Sequence, residues 1–238
     1  MKPIYEPKGA AKEYGDYAIN IYTGCPHRCY YCFAPDVLRR DRESFHSHVE
    51  PRDGIVEATK RQLEKEQISG KLIHLCFACD PYPMGCDTAP TREIIKAIKE
   101  RGNHVQILTK NTGAAALDFG LLDADDWFGV TLTGASKKQE PNAADQQNRL
   151  FMLAVARNRG IKTWVSFEPV INAEWVLSCI AAHGAIIDKI KIGKLNYHPS
   201  SIDWADFGRR AEDICKKRGF NYTIKDALRK KMEVEDEC

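Results

Sequence analysis

Short apolar runs and longer amphipathic runs alternate along this chain. Residues 17–22, 72–77, 104–109, 127–132, 162–168 and 188–193 are short, rich in β-branched and apolar side chains, and bounded by turn formers, which predicts six strands. Between them, 51–68, 91–101, 114–122, 143–159 and 173–183 predict helices. Ile94, Ile95 and Ile98 recur at helical spacing, as do Leu150, Leu153 and Ala154. Gly102 and Gly160 follow their helices as C-terminal caps. A last helix is expected over 204–218, ahead of a seventh strand at 220–224. Strands alternating with helices imply a parallel sheet with right-handed crossovers. The pattern alone leaves an open doubly wound sheet and a barrel both available. In either, ligands bind beyond the C-terminal strand ends, so the residues that finish each strand are the candidates for chemistry.

Composition narrows the class. A chain of 238 residues suits one large α/β domain, here expected over 1–238 with 200–238 as a C-terminal extension. A hydrophobic content of 43% supports a substantial core. No run approaches roughly 18 uninterrupted apolar residues, so no membrane-spanning helix is expected. The N-terminus lacks the apolar core of a signal peptide, and a cytoplasmic protein is expected. The net charge of +2 does not by itself indicate a nucleic-acid binder. Basic residues nevertheless gather between positions 209 and 231, ahead of an acidic end at 233–238. They read either as a solvated helix face with a tail, or as a basic surface near a polyanionic substrate.

Cysteine usage points to chemistry. Nine cysteines in a long chain, odd in number and with three clustered, fit a reducing compartment better than a disulfide scaffold. The cluster is Cys25, Cys29 and Cys32, spaced C-x3-C-x2-C. A structural zinc site wants four closed ligands, and an ordinary four-iron cluster wants four cysteines. Three thiolates from one loop leave a metal corner open. Tyr31, directly before the third cysteine, adds a flat surface beside it. The non-catalytic alternative is a zinc ion completed by His27 or His46.

The three-cysteine loop after the first strand resembles that of the radical S-adenosylmethionine (AdoMet) superfamily. The resemblance implies an α/β partial (β/α)6 TIM-type barrel and a [4Fe-4S] cluster held by the three cysteines, with AdoMet on the open iron. The implied activity is reductive cleavage of AdoMet to a 5′-deoxyadenosyl radical, with electrons from an external donor such as flavodoxin or ferredoxin. The strand ends then acquire roles. Asp80 could accept from the AdoMet ammonium, or simply satisfy loop N–H groups. Lys110 could pair with the carboxylate, and Thr131 offers a hydroxyl. Glu168 could bind ribose hydroxyls or an AdoMet nitrogen. Gly193 would let backbone approach adenine, Asn196 lies in the same segment, and Tyr31 would flank the adenine.

Further blocks sharpen the resemblance to the spore photoproduct lyase-like group, often labelled DNA repair photolyases. They include Tyr5-Glu6-Pro7-Lys8-Gly9, Glu13-Tyr14, the run from Ala18 into the cysteines, Asp80-Pro81-Tyr82-Pro83 and Leu108-Thr109-Lys110. Glu140-Pro141-Asn142-Ala143-Ala144, the run from Trp164 to Val170, Gly193-Lys194-Leu195-Asn196-Tyr197 and Ile224-Lys225-Asp226 continue them. Lyases of that group are longer and use a cysteine near the second strand end as a hydrogen donor, a role Cys79 could fill. Strand alternation would point Cys76 and Cys79 to opposite faces if the strand continued that far. The longer enzymes' lesion-binding segments have no clear counterpart here. The substrate classes implied are nucleic acid or nucleotide, or else a protein or peptide, with no membrane partner.

Overall fold

The computed structural model describes residues 2–233. Eight strands form one sheet in sequence order: β1 (Ile4–Tyr5), β2 (Tyr17–Ile19), β3 (Leu72–Leu75), β4 (His104–Thr109), β5 (Trp127–Thr131), β6 (Lys162–Phe167), β7 (Lys189–Ile192) and β8 (Tyr222–Ile224). β1 pairs antiparallel with β2, and the pairs from β2 to β8 are parallel. β1 and β8 are the two edges, so the sheet is an open, partial barrel of the expected kind. Helices α3 (Ile55–Lys65), α4 (Ala89–Glu100), α5 (Thr112–Ala116), α6 (Gln146–Asn158), α7 (Ala173–His183) and α8 (Trp204–Arg218) connect the parallel strands. Two short helices, α1 (Ala34–Leu38) and α2 (Arg42–Ser47), follow the cysteines, and α9 (Asp226–Glu233) follows β8. No helix among the described residues is long and apolar enough to cross a membrane.

The predicted strands are all found, with shorter ends at several. The expected helix at 114–122 is instead α5 plus one 3-10 turn, Phe119–Leu121. β1, α1, α2 and a 3-10 segment at Gly9–Tyr14 were not anticipated; each is too short to establish a period. Residues 200–233 supply α8, β8 and α9, with β8 the eighth strand of the sheet. Gly102 and Gly160 take left-handed φ values of 70° and 79° just beyond α4 and α6, where a side chain would be strained.

Strand alternation explains the layers. Ile73, Val105, Ile107, Phe128, Val130, Val165, Phe167, Ile190 and Ile192 are buried and apolar. They share the main core with Ile94, Ile95, Ile98, Leu153, Val176 and Ile180 of the helices. The alternate positions His74, Gln106, Thr131, Trp164, Ser166 and Lys191 are equally buried but mostly polar. They line the inner face. The Gly9–Tyr14 segment plugs this interior. Gln106 Nε2 donates to the Tyr14 carbonyl at 2.8 Å, Lys191 Nζ donates to the Glu13 carbonyl, and the Tyr14 ring packs on His74, Phe77 and Trp164.

Trp164 fits only because its neighbour has no side chain. It lies opposite Gly129 in the β5–β6 register, and its Nε1 donates to the Ile107 carbonyl at 2.9 Å. A Cβ on Gly129 would fall 2.2 Å from that nitrogen. Gly129→Ala should therefore lower stability by about 1–3 kcal/mol, the usual cost of overpacking. Chemical denaturation would show it as a lower midpoint, and an unchanged midpoint would refute this account of the lumen.

Candidate functional site

The cysteine loop is gripped from two sides. Toward α2, Cys25 N–H donates to the Phe45 carbonyl at 3.1 Å, and His46 Nδ1 lies 2.7 Å from the Cys25 carbonyl. A Cβ on Gly24 would fall 2.1 Å from the Phe45 oxygen, so the approach requires glycine. Toward the β5–α6 connection, Tyr30 N–H donates to the Gln139 carbonyl and Asn142 Nδ2 to the Pro26 carbonyl. Between these holds Arg28 takes φ 55° and Cys32 N–H turns back to the Cys29 carbonyl at 3.0 Å. Burial pushes all three thiols above their ordinary pKa. The His27 N–H reaches Cys25, the Ala34 N–H reaches Cys32, and the Tyr31 hydroxyl lies beside Cys29.

This donor set fits a cluster better than a single ion. Met84 N–H donates to His27 Nε2 at 3.3 Å, which leaves the proton on Nδ1, facing Asp80 at 3.5 Å. His27 is thus engaged at both nitrogens, and His46 Nδ1 is engaged with Cys25. Among the described residues, the one group of three candidate ligands whose atoms lie within 4.8 Å of one another is His104, Asp123 and Asp125, remote in sequence from the cysteines. The three thiols are therefore spread more widely than one tetrahedral ion would draw them. Cys25, Cys29 and Cys32 are all free thiols on this one loop.

The strand ends converge beside it. Asp80 does what its more modest reading expected: it accepts from Tyr82 N–H at 2.9 Å, from the Thr109 hydroxyl at 2.6 Å and from Lys110 N–H at 2.8 Å. It joins the ends of β3 and β4 and faces His27 of the loop. Lys110 Nζ sits 5.7 Å from the Tyr31 ring centre. Burial works against its charge, but Cys29, Glu140 and Asp80 outweigh this and raise its pKa. Tyr31 is buried, and its hydroxyl donates to Glu140. Glu140 also accepts the Thr133 hydroxyl at 3.1 Å and Arg149 at 2.5 Å, while Arg149 donates to the Thr131 carbonyl at 2.8 Å.

Glu168 is paired with Tyr14 and Lys225. The space beside Gly193 is filled by that carboxylate, whose Cδ would lie 2.8 Å from a Cβ there. Asn196 Nδ2 donates to the Lys194 carbonyl at 3.4 Å. Cys79 did not follow the alternation argument. β3 stops at Leu75, Cys76 takes φ 70°, and the Cys76 and Cys79 side chains hydrogen-bond to each other beside Tyr22 and Arg52.

His27 was singled out only as an alternative zinc ligand, and Glu140, Arg149, Tyr14 and Lys225 were not singled out as site residues in the sequence. Arg149 had a signal: it shares the buried side of α6 with Leu150, Leu153 and Ala156, where a charge needs a partner. The basic stretch at 209–231 is largely committed elsewhere. Arg210 pairs with Glu174 and Asp206, Lys216 and Arg229 with Glu212, and Lys217 with Asp213. Residues 234–238 of the acidic end lie outside the described residues.

No family model matches the chain. An uncharacterized protein of Methanocaldococcus jannaschii is 29% identical over 168 residues, covering 65% of this chain and 60% of that protein. Spore photoproduct lyase complexed with dinucleoside spore photoproduct superposes with a TM-score of 0.60 at 16% identity, over 89% of this chain and 64% of that one. SuiB of Streptococcus suis, bound to S-adenosylmethionine, gives a TM-score of 0.64 at 14% identity, over 87% and 49%. This chain spans less than two thirds of the length of each. The partial barrel expected from the cysteine loop is the fold these structures share.

Glu140 and Arg149 make a titratable test of the site's rigidity. Burial works against the Glu140 charge, but Arg149 and Lys110 overcome it and hold its pKa below the usual carboxylate range. The stabilisation is thus fully present above the unfolded carboxylate pKa of about 4.3 and lost as pH falls through the lower folded value. Arg149→Met strands the carboxylate and should cost about 3–5 kcal/mol near neutral pH. Denaturation of both proteins across pH should show the deficit narrowing in acid; equal stability at neutral pH would refute it.

Proposed function

We propose that this chain is a radical AdoMet enzyme that acts on a nucleic-acid-related substrate. The observation that carries the first half is the three-thiol loop, with His27 engaged at both ring nitrogens, set against the C-terminal ends of the barrel strands. Cys25, Cys29 and Cys32 would hold a [4Fe-4S] cluster. Cleavage of AdoMet to methionine and a 5′-deoxyadenosyl radical, driven by one electron from an external flavodoxin- or ferredoxin-like donor, is the chemistry that group supplies when bound. Lys110 offers a cation beside Cys29 for the AdoMet carboxylate, and Glu168 an acceptor across the lumen. Thr131 ends β5 between them, and Gly193 and Asn196 follow β7 on the other side of Glu168. Asp80 and Glu140 orient these groups through Lys110 and Tyr31. Cys79 is the thiol proposed to return hydrogen to the product, with Cys76 as its hydrogen-bonding neighbour.

Anaerobic reconstitution should give about four irons and four sulfides per chain. With AdoMet and a reductant, the protein should form 5′-deoxyadenosine. Cys25→Ala, Cys29→Ala or Cys32→Ala should abolish both, whereas Cys179→Ala or Cys215→Ala should spare the iron, because both of those thiols are buried in the apolar core. Stoichiometric zinc without iron in anaerobically purified protein would overturn the enzyme reading.

The substrate reading rests on the rim. Among the described residues, Tyr30, Phe33, Val37, Leu38, Met84 and Tyr197 are six of the eight exposed large apolar side chains, and they lie on the segments that follow β2, β3 and β7. Tyr197 is 83% exposed and Phe33 46% exposed. Aromatic faces at the mouth of a site suit unstacked bases. Single-stranded DNA or RNA should bind at low salt and weaken steeply as salt rises. Phe33→Ala with Tyr197→Ala should lose about 1–3 kcal/mol of that binding per stacked base. Changing Lys216 and Lys217, already paired on α8, should do little. No binding to any nucleic acid at low salt would shift the reading to a peptide or protein substrate.

A further inference from the structure

One carboxylate ties the end of β6 to both edges of the open barrel. Glu168 Oε2 accepts the Tyr14 hydroxyl at 3.0 Å and Lys225 Nζ at 2.6 Å. Tyr14 ends the 3-10 segment between β1 and β2, and Lys225 directly follows β8. The two edge strands do not pair with each other, so these contacts bridge the seam of the barrel. Lys225 also reaches the Glu13 carboxylate at 3.5 Å and lies 4.8 Å from the Tyr14 ring centre. Lys191 sits 4.0 Å from the same ring centre. Burial works against the Lys225 charge, but Tyr14 and Glu168 more than offset it. The second oxygen, Oε1, accepts no hydrogen bond from the described residues and lies where a Gly193 side chain would stand, 2.8 Å from its Cβ position.

We propose that Lys225 and Tyr14 are positioning residues for the cofactor: by engaging Oε2 they fix the Glu168 carboxylate so that Oε1 is presented to AdoMet. The inference rests on the reading of Glu168 as an AdoMet ligand. Three features support it over a purely mechanical clasp. Both donors converge on the same oxygen, which leaves the other free. Gly193 removes the side chain that would displace that free oxygen. The pair also stands at a strand end on the ligand-binding side of the barrel, whereas a seam could be held anywhere along β8. A carboxylate gripped through one oxygen loses less freedom when a ligand arrives at the other, and that pre-organisation appears as affinity.

The test is a double-mutant cycle on anaerobically reconstituted protein, read by equilibrium AdoMet binding with iron content measured in parallel. Lys225→Met should weaken AdoMet binding about tenfold while leaving iron unchanged. Lys225→Arg, which keeps the charge and donor, should recover most of it. In a Glu168→Ala background, Lys225→Met should weaken binding no further, because the two act through one group. Should Lys225→Met fail to fold, Tyr14→Phe decides by the same criterion, since it removes only a hydroxyl: weaker binding in the parent and none lost in the Glu168→Ala background. Binding like the parent in the folded lysine or tyrosine variant would overturn the inference, as would a loss that adds in full to that of Glu168→Ala. Parent-like binding by Glu168→Ala itself would instead refute Glu168 as a ligand, and the positioning role with it.

Discussion

A polar interior is stable only where its groups find partners, and this barrel has a polar interior. The inner face carries His74, Gln106, Ser166 and Lys191, all buried. His74 Nδ1 and Gln106 Nε2 meet within the sheet at 3.0 Å, and further partners come from outside it. The Gly9–Tyr14 segment meets much of that demand through the Tyr14 carbonyl, the Glu13 carbonyl and the Tyr14 ring. The same requirement explains the site. Asp80, Glu140 and Glu168 are three carboxylates, each held by donors from distant parts of the chain. Asp80 binds the end of β4 and faces the cysteine loop. Glu140 joins that loop to α6, and Glu168 joins β6 to both edges. Removing any one would leave its own donors unpaired: Thr109 and His27 for Asp80, Tyr31 and Arg149 for Glu140, Tyr14 and Lys225 for Glu168.

The sequence disclosed the layers better than the links. Strands were legible because their outer faces alternate with a polar inner face, and the helices because Ile94, Ile95 and Ile98 repeat on one side. The three thiols were legible because ligands from one loop must be close in sequence. Tyr14 and Lys225 were not, since they lie 154 and 57 residues from Glu168 and no periodicity joins them. Asp80 was legible as a strand-end acid, but whether its oxygens served a ligand or the backbone depended on Thr109 and Lys110 across the β3–β4 pair. Cys76 and Cys79 show the limit of alternation: it predicts opposite faces only while the strand lasts, and one left-handed residue brought the two thiols together.

Charge in composition and charge in space also differ. The stretch from 209 to 231 looked like a basic surface, yet α8 carries Asp206, Glu212 and Asp213 within one turn of its cations and pairs them. Lys225 is drawn inside altogether. The unpaired surface character of this protein lies instead around the cysteine loop, as exposed aromatic and aliphatic side chains on segments that follow β2, β3 and β7. An exposed apolar rim thus adjoins a polar interior most of whose groups are paired, with His74 Nε2 and Glu168 Oε1 among the exceptions.

That division can be set against the structures that share the fold. It spans 64% of spore photoproduct lyase and 49% of SuiB, while covering nearly all of its own length in the shared fold. Within this chain, the groups that hydrogen bonding fixes in place are the strand-end acids and the backbone of Lys110. The rim residues are held far less. Tyr197 is exposed with a left-handed φ of 63°, and Phe33, also exposed, follows the third cysteine directly in sequence. Selection among substrates would therefore fall to a few side chains at the mouth. Their substitution should alter what binds without disturbing the polar interior that prepares the chemistry, because no carboxylate of that interior depends on them.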